Sequence, residues 1–102
     1  MIKDEKVKQI VVRPDLDKNE KLVLLDILAR EPEPEKVKGA GPLGQTEIHQ
    51  GRALATIEQI ATRTGLSEPV VKRTIRKLAK RKLITRFPSK GRTPSGYLVN
   101  LN

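Results

Sequence analysis

A chain of 102 residues with 36% hydrophobic and 2% aromatic side chains is long enough for one small domain with an aliphatic core, and too short for two. It has no cysteine, which excludes disulfides, thiol nucleophiles and cysteine-ligated zinc, and it has no apolar run approaching the roughly 20 residues of a membrane span. The net charge of +9 comes from one end: residues 1–68 hold 11 basic and 12 acidic side chains, whereas residues 69–102 hold 10 basic ones and no acid. A polyanion met through one face would need this layout.

The first residues, Met1-Ile2-Lys3-Asp4-Glu5-Lys6, contain no hydrophobic segment of signal-peptide type, so a cytoplasmic chain is expected. Within residues 1–15 the short apolar run Ile10-Val11-Val12, ended by Arg13-Pro14, predicts an N-terminal arm or an edge strand. A first helix begins at Asp17, which with Glu20 forms a capping box. Leu22, Leu25, Leu28 and Ala29, widened by Leu24, are its expected inner face, and Glu31-Pro32 ends it. Residues 31–52 carry Pro32, Pro34, Pro42, Gly39, Gly41, Gly44 and Gly51, and are expected to be a flexible insert.

Residues 52–55 predict a short strand running into Thr56, which with Gln59 makes a second capping box for a brief helix over 57–63. Gly65 supplies the left-handed residue that closes it. Ser67 caps a third helix over 68–81, with Pro69 in the first turn, where no amide donor is needed. Val71, Ile75, Leu78 and Ala79 form its inward stripe. Residues 83–87 and 97–101 predict two strands around the turn-rich segment 88–96, with Tyr97, Val99 and Leu101 alternating onto one face. The expected class is therefore mainly α with a small β-hairpin: three helices plus antiparallel strands.

Residues 57–78 have the spacing of a helix-turn-helix. Ala61 is small where the next helix crosses, Gly65 turns, Leu66 and Val71 plug the angle, and Ser67 caps the entering helix. The run Ser67-Glu68-Pro69-Val70-Val71-Lys72-Arg73-Thr74-Ile75-Arg76-Lys77-Leu78, followed by Leu83-Ile84, resembles winged-helix DNA-binding proteins, with Val70 and Lys82 in place of their usual threonine and glycine. The first helix, Leu16-Asp17-Lys18-Asn19-Glu20-Lys21-Leu22-Val23-Leu24-Leu25, is similar to the start of winged-helix domains in phage and plasmid replication proteins and related small regulators. The resemblance covers residues 16–101 apart from the 31–52 insert, so residues 16–102 are read as one winged-helix domain.

At 100° per residue, Pro69, Arg73, Arg76 and Lys80 fall opposite Val71, Ile75 and Leu78, with Lys72 and Lys77 on the flanks. The resemblance implies that this helix enters a DNA major groove. Arg73 is then the main base reader, beside Pro69, Lys72 and Arg76, because arginine can bind guanine O6 and N7 together. Ser67, Lys77, Lys80, Arg81 and Arg86 are the expected phosphate contacts, and Lys90 and Arg92 stand at the tip of the wing.

Gly39-Ala40-Gly41-Pro42-Leu43-Gly44 matches a dinucleotide-binding glycine pattern, but no strand precedes it and it contains a proline. His49 is the only histidine, and Glu31, Glu33 and Glu35 read as a solvated run, so no enzyme, metal, cofactor or small-molecule ligand is expected. The expected partner is double-stranded DNA, with a homodimer compatible, in a nucleoid-associated role in transcription control or replication initiation. A winged helix used for protein contact, and RNA binding, are the alternatives. The first would not need the basic segment, and the second is disfavoured by the scarcity of aromatics.

Overall fold

The computed structural model describes residues 2–32, 35–39, 41–49, 51–89 and 94–101. Among them the elements run in the order α1 (Ile2–Val12), α2 (Lys18–Arg30), β1 (Glu35–Val37), β2 (Glu47–His49), β3 (Ala53–Ala55), α3 (Ile57–Thr64), α4 (Glu68–Lys80), β4 (Ile84–Phe87) and β5 (Ser95–Val99). The expected class is thereby enlarged. The described residues form four helices and a three-stranded antiparallel sheet in the order β3-β5-β4, with a separate β1-β2 hairpin.

The largest difference lies at the N-terminal end, where an arm or edge strand is expected over 1–15 and Ile2–Val12 form a helix. The run Ile10-Val11-Val12 has the composition of a strand, yet only Ile10 is buried, while Val11 and Val12 face water. Tertiary contacts override local propensity here. Ile10 fills the core, Lys6 Nζ donates to the Val99 carbonyl at 3.0 Å, and Lys21 Nζ donates to the Val11 carbonyl at 2.9 Å. That last bond satisfies one of the orphan carbonyls at a helix end.

α2 lies at the centre, against α1, α3, α4, β3 and β5. Its capping box forms as expected: Glu20 N–H donates to Asp17 Oδ1 at 2.8 Å, and Asp17 N–H to Glu20 Oε1 at 3.1 Å. The inner face is rotated from the expected one. Glu20, Val23, Leu24, Ile27 and Leu28 are buried, Leu22 and Leu25 are half-buried, and Ala29 is exposed. The helix is apolar nearly all round between 22 and 28, so periodicity alone could not orient it.

Glu31 is not part of a solvated run. Its carboxylate is buried and accepts the Val99 N–H at 2.7 Å. β3 pairs with β5 only as far as Tyr97, so the next amide on that side of β5 has no strand partner. A carboxylate there takes the place of a missing ladder bond.

The segment 31–52, expected to be a flexible insert, contains a strand pair among its described residues. β1 and β2 pair in the register Glu35↔His49, Lys36↔Ile48 and Val37↔Glu47. The connecting turn closes on itself: Gly44 N–H donates to the Gly41 carbonyl at 3.0 Å and Gly41 N–H to the Gln45 carbonyl at 3.2 Å. The Gln45 side chain accepts the Leu43 N–H at 2.9 Å. These bonds satisfy backbone groups of a glycine-rich turn.

α4 ends in a Schellman motif built without glycine. Leu83 N–H donates to the Leu78 carbonyl at 2.9 Å and Lys82 N–H to the Ala79 carbonyl at 3.0 Å, with Lys82 at φ 61°. Buried Leu78 and Leu83 supply the apolar contact that accompanies such a stop. A lysine in the left-handed region is strained by its Cβ. Lys82→Gly should therefore stabilise the fold by about 0.5–1 kcal/mol, read as a higher urea midpoint at unchanged slope; an unchanged or lower midpoint would contradict this reading of the turn.

Candidate nucleic-acid interface

The helix pair that presents the basic face is assembled by local rules. α3 starts at the Thr56–Gln59 capping box, with bonds of 3.0 and 3.1 Å, and stops at Gly65, whose φ is 75°. Ser67 Oγ accepts the Val70 N–H at 3.4 Å to open α4, and Pro69 occupies its first turn. Val71, Thr74, Ile75 and Leu78 are buried, and the Thr74 hydroxyl is satisfied by donating to the Val70 carbonyl at 2.8 Å. A helix with this stripe inward must turn its other side to water. Pro69, Lys72, Arg73, Arg76, Lys77 and Lys80 are all exposed there.

Charge is sorted in space as well as along the chain. Asp26 bridges Arg30 at 3.5 Å and Arg63 at 3.2 Å. Asp15 bridges Arg13 at 2.8 Å and also Arg81, and Glu20 reaches Arg81 at 3.2 Å. Among the described residues no acid pairs with Lys72, Arg73, Arg76, Lys77, Lys80 or Arg86. The carboxylates neutralise arginines near α1 and α2, and the outer side of α4 is left cationic.

Two hollows flank that side. One, of about 330 Å³, is lined by Pro69, Lys72, Arg73 and Arg76. The other, of about 180 Å³, is lined by Ile57, Lys72, Ile75, Arg76 and Arg86. Arg86 reaches it because β4 pairs Arg86 with Tyr97 and Ile84 with Val99, residues whose side chains lie on the core side of the sheet. Beyond the end of the packed core, the same side of the strand opens toward α4. A larger hollow, of about 550 Å³, lies between α1 and the exit of α4, lined by Gln9, Val12, Arg13, Arg81, Lys82, Leu83 and Asn100. Its two arginines already share Asp15, so it offers an anion less than its size suggests.

Of the expected site residues, the structure brings together Pro69, Lys72, Arg73, Arg76 and Arg86, with Lys77 and Lys80 farther along the same helix. Ser67 is exposed, and its hydroxyl proton stays available to a phosphate while its oxygen caps α4. Arg81 is engaged within the chain. Its guanidinium is held by Asp15, by Glu20 and by the Asp15 carbonyl at 3.2 Å, so it ties the end of α4 to the start of α2. Lys90 and Arg92 lie outside the described residues. Sequence reasoning passed over Arg52, whose guanidinium lies 3.5 Å from the centroid of the Phe87 ring and whose stem covers Gly96. No local pattern signals that contact, because it arises only when Leu54, Gly96 and Phe87 align across three strands.

Asp15 is held down to a pKa of about 2, chiefly by its hydrogen bond with Arg13, with Arg81 adding to the effect. A carboxylate lowered in the folded state contributes stability that is fully present above the unfolded value near 3.8 and is lost as pH falls through about 2. Carboxyl NMR should find the Asp15 midpoint near 2, and Arg13→Met should raise it more than Arg81→Met does. A midpoint near 3.8 in the unaltered chain would show the network absent. No family model, no curated protein and no solved structure matches this chain.

Proposed function

We propose that this chain binds double-stranded DNA as a winged helix-turn-helix, with the outer side of α4 in the major groove. Support for the fold reading comes from the order of elements. α2, α3 and α4 make a three-helix unit, β3 enters the sheet between α2 and α3, and β4 and β5 flank the 88–94 loop as the two sides of a wing. Support for the partner comes from charge. The observation that carries the reading is the set of cations without an acid partner, Lys72, Arg73, Arg76, Lys77, Lys80 and Arg86, on α4 and the strand beside it. Leaving so many like charges together opposes folding, and a polyanion turns the same arrangement into affinity.

Arg73 stands opposite the buried stripe, in the half of α4 that leads into a groove in this geometry, and is the base reader. Lys77 and Lys80, farther along the helix, meet the backbone. The biological setting is transcription control or replication initiation.

Binding to random duplex DNA across a salt series tests the reading. About four phosphate contacts, at a slope near −0.9 each, predict a loss of roughly 100-fold in affinity between about 50 and 200 mM salt. A flat response would contradict duplex binding and point to a protein partner. With a preferred sequence in hand, Arg73→Ala should relax preference, whereas Lys80→Ala should weaken all sequences equally. The reverse pattern would overturn these two roles.

A further inference from the structure

We propose that Lys72, Arg76 and Arg86 form a clamp for a single phosphate group, supplied by the DNA backbone, which leaves base reading to Pro69 and Arg73. The proposal rests on the duplex-binding reading and divides its interface differently from the sequence expectation, in which Lys72 and Arg76 read bases. The 180 Å³ hollow is lined by these three cations and by Ile57 and Ile75. It is bounded by three elements: the first residue of α3, the middle of α4 and strand β4. A base edge needs hydrogen-bonding partners along its plane. Three cations over aliphatic side chains suit instead a compact anion whose charge is shared among several oxygens.

Lys72 and Arg76 are one helical turn apart and line both hollows, so they form the ridge between them. On one side of that ridge stands Arg86; on the other stand Pro69 and Arg73. Among the described residues no carboxylate neutralises any member of the trio. Arg86 belongs to the strand that precedes residues 88–94, so a phosphate held here fixes α4 and the β4 side of the proposed wing on the same stretch of backbone. The phosphate sets the register in which Arg73 meets a base.

The test uses the full chain with a preferred and a scrambled duplex. Lys72→Gln, Arg76→Gln and Arg86→Gln should each weaken both duplexes by the same factor, on the order of tenfold at low salt, and replacing all three together should reduce the salt slope by only about 1, the share of one phosphate. Lys72→Gln combined with Arg86→Gln should lose less than the product of the two single losses, because one phosphate is shared. Arg86→Lys should keep the salt slope. An unchanged affinity in Arg86→Gln overturns the clamp, as does a slope that falls by about 1 for each cation removed, and so does a changed ratio of preferred to scrambled binding in Lys72→Gln or Arg76→Gln. If the unaltered chain binds no duplex, the duplex reading fails by itself, and titration with inorganic phosphate decides the clamp. Saturable shifts of the Lys72, Arg76 and Arg86 side-chain NMR signals would retain it as an anion site, and their absence would overturn it.

Discussion

The structure depends on α4 being held by one side only. Val71, Thr74, Ile75 and Leu78 bury against the rest of the chain, and the helix geometry then places Lys72, Arg73, Arg76, Lys77 and Lys80 toward water. Its neighbours α2, α3 and β4 fix that orientation. Thr56, Gly65 and Ser67 set the approach of α4, and α2 supplies the central surface on which it lies. The Schellman stop at Lys82 and the Arg81 bridges to Asp15 and Glu20 anchor its far end. Mutual repulsion among the cations resists packing only weakly, because the groups are solvated and screened. The apolar stripe therefore decides the fold, and the charges decide what it can meet.

The distribution of acids complements this arrangement. Asp15, Asp26 and Glu20 are spent on Arg13, Arg30, Arg63 and Arg81, and Glu31 on the amide of Val99. These contacts join the α1–α2 connection, α2, α3, β5 and the C-terminal end of α4, away from its outer side. Arginines that stabilise the fold and cations left for a partner are thus different residues, although composition counts them alike. Arg81 and Lys80 are adjacent in sequence and fall on the two sides of that division.

Much of this was legible in the chain before any coordinates. The two capping boxes, the glycine stop at 65, the Ser67 cap and the inward stripe of α4 are local signals, each with its own physical reason, and each appears where expected, save that Thr74 is buried in the stripe and Ala79 only half-buried. What could not be read depended on distant partners. The Ile10-Val11-Val12 run became helical because Ile10 and Lys6 found the core and β5. The leucine-rich α2 could not choose its inner face without neighbours. Glu31 reads as a solvated charge and Arg81 as a phosphate contact in the sequence, because the partners they find lie 68 and 61 residues away. The glycines of the 31–52 segment signalled a break, but not the β1-β2 pairing that their turn supports. At the candidate interface, sequence placed the cations on one side of α4, while only the sheet register could set Arg86 beside Lys72 and Arg76.

The most direct test is to map the contact surface residue by residue, by amide and side-chain NMR shifts of the labelled chain on addition of a short duplex. The account predicts that perturbations gather on residues 67–80, on Arg86 and on the 88–94 loop, leaving α1 and the β1-β2 hairpin unmoved. Perturbations centred on α1 or that hairpin, with the outer side of α4 silent, would contradict it.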